Sequence, residues 1–195
     1  MRKLFALTAV VAAFSSSQAF AQAKSHEGFS LGANAEFDRS SVDATGTGAV
    51  SDSANSTGLG LQAQYSWALG SNFLLGLGAT ANTGNRKAGT YANGNDAYTK
   101  DRYSIDLIPS IAVTNKVLVF ARISSVAGNA TSSNGTSTAS IQGLGYGLGF
   151  RAMIDNNLFW QAGYDYVKFN DVTFGNGTVS SFKGNILSLG IGYKF

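Results

Sequence analysis

The chain has 195 residues, enough for one domain, and no cysteine, which excludes a disulfide framework and thiol chemistry. Charged residues make up only 13%, about half of the ~25% usual for a soluble domain, too few for an ordinary water-facing surface. The formal net charge of +3 falls to about +1 once Arg2 and Lys3 are set apart as part of a leader, leaving 12 basic against 11 acidic residues, and no basic run suggests nucleic acid.

Arg2 and Lys3 precede an apolar run from Leu4 to Phe14, after which Ser15 to Ala21 offers small residues at the cleavage positions. This reads as a three-part secretory signal over residues 1–21, cut after Ala21 or, two residues on, after Ala23. The apolar run is too short to span a bilayer as a helix. Residues 22–195 are then the mature domain.

From Gly28 the chain alternates. Phe29, Leu31, Ala33, Ala35 and Phe37 fall on one side, with Ser30, Gly32, Asn34, Glu36 and Asp38 on the other. A period of two means an extended strand whose faces meet different surroundings. After a polar stretch to Ser56 the pattern returns over 58–69, turns at Gly70 to Asn72 and continues over 73–82. A Gly-, Asn- and charge-rich loop from Thr83 to Asp101 leads to a fourth strand over 102–113. Thr114 to Lys116 turns into a fifth strand, 117–124, and a Ser/Thr/Asn/Gly/Ala loop, Gly128 to Ser140, leads to a sixth, 143–154. Asp155 to Asn157 makes the third tight turn, before a seventh strand ending near Val167. After a loop around Asn176, the last strand runs from Asn185 to Tyr193 and Phe195.

The count is eight strands, with three short turns and four long polar loops in strict alternation. An even count returns both ends of the barrel to one side, and short turns opposite long loops are the asymmetry of outer-membrane barrels. If the bulky face pointed inward, as in a lipocalin-like soluble barrel, the outside would be Gly, Ser, Gln and a few charges. With that face outward, Trp67, Phe73 and Trp160 lie near the short turns and Tyr103, Tyr146 and Tyr166 near the long loops, as two aromatic belts. Pro109 gives no ladder donor, so a bulge or local distortion is expected there, its ring toward lipid.

This pattern over 28–195, with its Tyr193-Lys194-Phe195 ending, resembles the small eight-stranded outer-membrane proteins: the OmpA-type transmembrane domain, OmpX and the opacity-like surface antigens. The resemblance implies an all-β fold, an eight-stranded antiparallel up-and-down transmembrane β-barrel with three short periplasmic turns and four long extracellular loops, in the cell outer membrane. It also implies Tyr193 and Phe195 as the signal read by the barrel-assembly machinery, outer-membrane lipid and lipopolysaccharide as surroundings, and host or surface ligands at the loops. It implies no cofactor.

Inside such a barrel the inward charges Glu36, Asp106, Arg122, Arg151 and Asp165 would cost several kcal/mol each if left alone, so Asp106 is expected to pair with Arg122 and Arg151 with Asp165. Leu74, Leu118, Phe120, Met153 and Phe159 are expected to plug the periplasmic end, with the inward glycines of the sixth strand giving them room. An eight-stranded barrel is wide enough only to be filled by side chains, so no open pore is expected. His26, the only histidine, precedes the first strand, leaving a Ser-His-acid site without a base in place. Asp43 and Asp52, or Asp96 and Asp101, read as solvated loop carboxylates with no metal-binding spacing. The Gly143 to Gly149 run lies inside a strand with no helix after it, so packing accounts for it better than a dinucleotide loop. The expected role is non-enzymatic, in envelope structure or adhesion through the loops, with a narrow channel as the alternative and a lipid-modifying enzyme after that.

Overall fold

The structure, a computed structural model, describes residues 20–46, 49–133, 138–174 and 177–195, with residues 20 and 21 described by backbone alone. The expected leader lies outside the described residues but for its last two. Helix α1, Phe20–His26, is followed by strands β1 Gly28–Thr45, β2 Val50–Ala68, β3 Phe73–Asn82, β4 Arg86–Thr90, β5 Asp96–Ala112, β6 Val117–Ser132, β7 Thr138–Met153, β8 Leu158–Phe169, β9 Val172–Thr173 and β10 Val179–Lys194. Among the described residues, eight of these form a ring in the order β1, β2, β3, β5, β6, β7, β8, β10, each antiparallel to the next, and β10 closes onto β1. Closure gives the long strands a neighbour on both sides through the apolar band, while before Gly60 the loop-end half of β2 pairs with β1 alone. The short β4 pairs with β5, and β9 with β10.

The alternation predicts the two faces correctly. Among the described residues thirty large apolar side chains stand exposed on the outside, among them Leu61, Ile105, Leu148 and Ile191, while the interleaved residues are buried or partly buried. Among the described residues no helix is long and apolar enough to cross a membrane.

The strands run further than the alternation suggests. β1 has 18 residues and β2 has 19, against the 9–11 or so that cross a hydrocarbon core, so both project well past it. The register of this hairpin is unbroken from Gly28 opposite Ser66 up to Ala44 opposite Val50, which turns most of the expected first loop into paired strand. The physical reason lies in composition: outside the membrane both the outward face and water are polar, so small Ser, Thr, Asn and Ala residues blur the contrast that marks a strand in lipid. At the opposite end the three tight turns, residues 69–72, 113–116 and 154–157, stand where expected. Asp155 holds the third, its Oδ1 accepting the N–H groups of Asn157 at 2.8 Å and Leu158 at 2.6 Å.

Pro109 corrects an expectation in part. Its pairing with β3 runs through without a break, Leu75 opposite Pro109. Toward β6 the ladder skips Ile108 and Pro109 and resumes at Ser110 opposite Phe120 in unchanged register, so the missing N–H interrupts two rungs without a bulge. The register shift in β5 comes instead between Lys100 and Tyr103, where Asp101 adopts φ 49°.

Candidate functional site

The lumen is filled in four layers. At the turn end, Leu74, Leu118, Phe120, Met153 and Phe159 are all buried, and Leu74, Leu118 and Ala112 pack around Ala23 of α1. Glycine makes room for the rings: a side chain at Gly149 would strike Phe120, and one at Gly192 would strike Phe159. The segment after the expected cleavage point lies across this mouth. Ala23 N donates to Ser71 O at 3.1 Å, Ser25 Oγ to Asn115 O at 2.9 Å, and Ala68 N to Glu27 Oε1 at 3.2 Å. His26, buried, sets Nε2 3.1 Å from Thr114 O; burial pushes its imidazole below the ordinary value of 6.5, helped by Arg151 and Lys194 and opposed by the Thr114 contact.

Above this cap lies an amide layer built around Arg151. Its Nη2 donates to Gln161 Oε1 at 3.0 Å and Gln64 Oε1 at 3.1 Å, and its guanidinium sits 4.0 Å from the centre of the Phe159 ring. Gln161 Nε2 passes the chain on to Gln62 and Asn34 at 2.8 and 2.9 Å.

The middle layer carries the remaining charge, in pairs that differ from those expected. Arg122 Nη1 meets Asp165 Oδ2 at 2.9 Å. Asp106 is held by Thr80 Oγ1 at 2.7 Å, and Arg151 has amides where a carboxylate was expected. Register explains the exchange. Arg122 lies opposite Gly147, and Gly147 opposite Asp165, so the three share one row, and a side chain at Gly147 would occupy the space of the Asp165 carboxylate. Arg151 lies four residues further toward the turns on β7, roughly 14 Å along the strand and out of reach of Asp165.

Two further pairs were missed by the sequence reading. Arg86 Nη2 donates to Glu36 Oε2 at 2.7 Å, with Asn82 Nδ2 on the other oxygen at 2.6 Å. Arg102 Nη1 lies 2.9 Å from Asp38 Oδ2, whose Oδ1 accepts from Ser40 Oγ at 2.6 Å. Asp38 and Arg102 were visible on the inward side of their strands; Arg86 sat in a stretch read as loop. It reaches the lumen because Gly58 of β2 leaves its guanidinium a place. Among the described residues the lumen thus holds Glu36, Asp38, Asp106 and Asp165 against Arg86, Arg102, Arg122 and Arg151, a neutral set. Such pairing is what a low-dielectric interior demands of charge. A cavity of about 50 Å³, lined by Glu36, Arg102, Asp106, Arg122 and Asp165, has room for a few waters on polar atoms such as Asp106 Oδ1 that lack a protein partner.

A fourth layer closes the loop end. Val42, Ala88, Ala97, Val126, Ala130, Ile141, Val167, Phe169, Phe174, Phe182 and Ile186 form a buried apolar cluster between the projecting strands, with Tyr91, Ala139 and Val172 against it. The expected loop carboxylates are engaged there: Asp43 with Lys183 at 2.7 Å, Asp96 with Lys87 at 2.6 Å, and Asp52 Oδ2 accepting Thr90 N at 2.7 Å. Among the described residues no three His, Asp or Glu side chains gather as metal ligands.

On the outside, Trp67, Phe73 and Trp160 face outward near the turns and Tyr103, Tyr146 and Tyr166 near the loops, with Tyr146 directly opposite Tyr166. Phe195 N donates to Phe29 O at 2.8 Å, and its exposed ring lies beside Phe29 and Tyr193, at 5.8 and 5.0 Å between centres.

A family model described as the outer membrane protein beta-barrel domain matches residues 6–195. Comparison with curated proteins found no match. Among solved structures, Ail, the attachment invasion locus protein of Yersinia pestis, in complex with the heparin analogue sucrose octasulfate, is 20% identical with a TM-score of 0.54, covering 87% of this chain and 99% of Ail. Neisserial surface protein A is 18% identical at TM-score 0.52, covering 87% and 98%. OprG of Pseudomonas aeruginosa is 17% identical at 0.51, covering 87% and 96%. At these identities the likeness is one of fold.

Proposed function

The chain belongs to the outer membrane protein beta-barrel domain family, and from that membership we propose a non-enzymatic protein of the cell outer membrane that acts through its external end, as a surface-interaction or adhesion element that also reinforces the envelope. The observation that carries this reading is the external layer. Strands β1, β2, β5, β6, β7 and β10 continue past the apolar band and enclose their own buried cluster, a packed platform where simple solvation would need only loops. The filled lumen supports it: among the described residues, buried apolar side chains are clustered at both of its ends. Residues 1–21 act in this reading as the cleaved export signal, the outward aromatics as interfacial belts, outer-membrane lipid and lipopolysaccharide as the surrounding partners, and Tyr193 with Phe195 as the mark for barrel assembly. The sole histidine is committed to Thr114 at the opposite end from the platform, which speaks against a His-dependent hydrolase or transferase.

Ail is described with a sulfated sugar. In this chain Lys87 and Lys183 are paired with Asp96 and Asp43, so the platform favours a ligand recognised through hydroxyl and amide groups such as Ser51, Ser53 and Asn55. The test is to shorten the β1–β2 hairpin to a tight turn below residue 40 and compare binding of displaying cells to host-cell and matrix surfaces. Loss of binding with heat-dependent gel migration intact is expected; undiminished binding sinks the reading.

A narrow channel is the second reading, favoured by the polar cavity at mid-depth. Planar-bilayer recordings separate the two. The filled lumen predicts no steady conductance, and Arg122→Ala then changes only resistance to unfolding; altered conductance in Arg122→Ala would mark a gate.

A further inference from the structure

The charges of the lumen balance overall, but they do not balance layer by layer. At mid-depth Arg86, Arg102 and Arg122 are each engaged by a carboxylate, that of Glu36, Asp38 and Asp165 respectively. The fourth carboxylate of that layer is Asp106, and the fourth arginine is elsewhere. Asp106 lies opposite Ser124 and Ser124 opposite Gly145, so Arg151 is six residues from this row along β7, roughly 20 Å toward the turns and among amides. Asp106 is fully buried, and among the described residues it has no ion pair. Its Oδ2 accepts Thr80 Oγ1 at 2.7 Å, a neutral donor, and its Oδ1 is buried without a protein partner. It lines the cavity of about 50 Å³ together with Thr80, Ser124 and Asp165. Asp165 repels it, and one arginine, Arg122, stands against the two carboxylates. Gly78 and Gly145 share the row of Asp106 and Ser124 and bring no side chain into the space. Water satisfies the hydrogen bonds of an unpaired oxygen but leaves its charge in place, and an uncompensated carboxylate inside a membrane barrel is strongly disfavoured.

We propose that this cavity binds one monovalent alkali cation, held by Asp106 with the hydroxyl oxygens of Thr80 and Ser124 and the carboxylate of Asp165 around it. A hard cation takes oxygen ligands, and these four side chains offer oxygen alone. The deficit of the layer is a single charge, so a monovalent ion neutralises it, whereas a divalent ion leaves an excess beside Arg102 and Arg122. Buried apolar clusters lie at both ends of the lumen, so the ion is a resident counter-ion that stabilises the barrel. The site lies inside the wall and does not depend on the surface-interaction reading.

The test is urea unfolding of the mature protein in detergent, in potassium chloride against choline chloride at equal ionic strength and pH. With potassium at about ten times its dissociation constant, the folded-to-unfolded ratio should be about tenfold higher than in choline. Asp106→Asn, which keeps the shape and the Thr80 contact, should lose the whole potassium response, and Ser124→Ala should weaken it, both barrels retaining heat-dependent gel migration. Crystals of the wild type grown in rubidium chloride, the heavier stand-in for potassium, should show anomalous scattering beside Asp106 Oδ1, a readout that needs no variant to fold. Absence of a potassium response in the wild type, an equal response in Asp106→Asn, or no rubidium signal at Asp106 overturns the proposal. So does a protonated-carboxyl infrared band present in the wild type and lost in Asp106→Asn, which would show that a proton balances the charge.

Discussion

The two ends of the lumen are both closed by apolar side chains, yet they are built on different principles. At the turn end a few large residues, Phe120, Phe159 and Met153, fill a narrow mouth over glycines, and α1 is laid across them. At the loop end a broader cluster of mostly small and medium residues is assembled from seven strands and their connections. The first is part of the barrel wall's own packing. The second depends on strands that have already left the membrane, and it should open without the barrel unfolding.

Truncations at the two ends give the strongest check. Phe159→Ala removes a buried ring and the face on which Arg151 rests, and should cost about 3–5 kcal/mol of resistance to urea in detergent. Phe182→Ala, equally buried, should leave the global midpoint nearly unchanged while making the loop-end parts of β1 and β10, near Val42 and Ser180, far more sensitive to protease. If both lowered the global midpoint alike, the two ends would be one cooperative unit. In the layer between them, Arg122→Ala strands the largely buried Asp165 and should cost about 3 kcal/mol, recovered in good part by adding Asp165→Asn.

A smaller effect distinguishes the ends by pH. His26 is held neutral when docked, so the undocked segment binds more protons, and docking is at full strength above 6.5 and weakens as pH falls below it. Protection from hydrogen exchange at residues 22–27, taken relative to the intrinsic rate at each pH, should therefore fall in mild acid, with no such change at Val42 or Phe182; His26→Gln should abolish the dependence. Smallest of all, Asp155→Ala removes two acceptor contacts in one tight turn and should cost about 1 kcal/mol, read as a modest shift in the urea midpoint.

The same contrast governs what the sequence discloses. Strand faces were legible wherever lipid lay outside, because apolar residues then alternate with polar residues or glycine from Phe29 to Phe37 and from Leu187 to Phe195. So was the turn-end filling, for the same reason. The loop-end cluster was hidden, since Val42 and Ala44 alternate with Ser41 and Asp43 in a stretch that resembles any polar loop. Partner choice was hidden too. Alternation assigns a side chain to a face but says nothing of the stagger between strands, and that stagger decides that Arg122 takes Asp165 while Arg151 rests on Phe159.

Gly147 has a consequence for assembly. By offering no side chain, it lets Arg122 of β6 and Asp165 of β8 join hands over β7, so the ion pair is a staple across three strands and not a contact between neighbours. Such a staple cannot close until β8 has arrived, and it reports on correct stagger: β8 zipped one residue out of step would turn Asp165 toward acyl chains and leave Arg122 alone in the lumen.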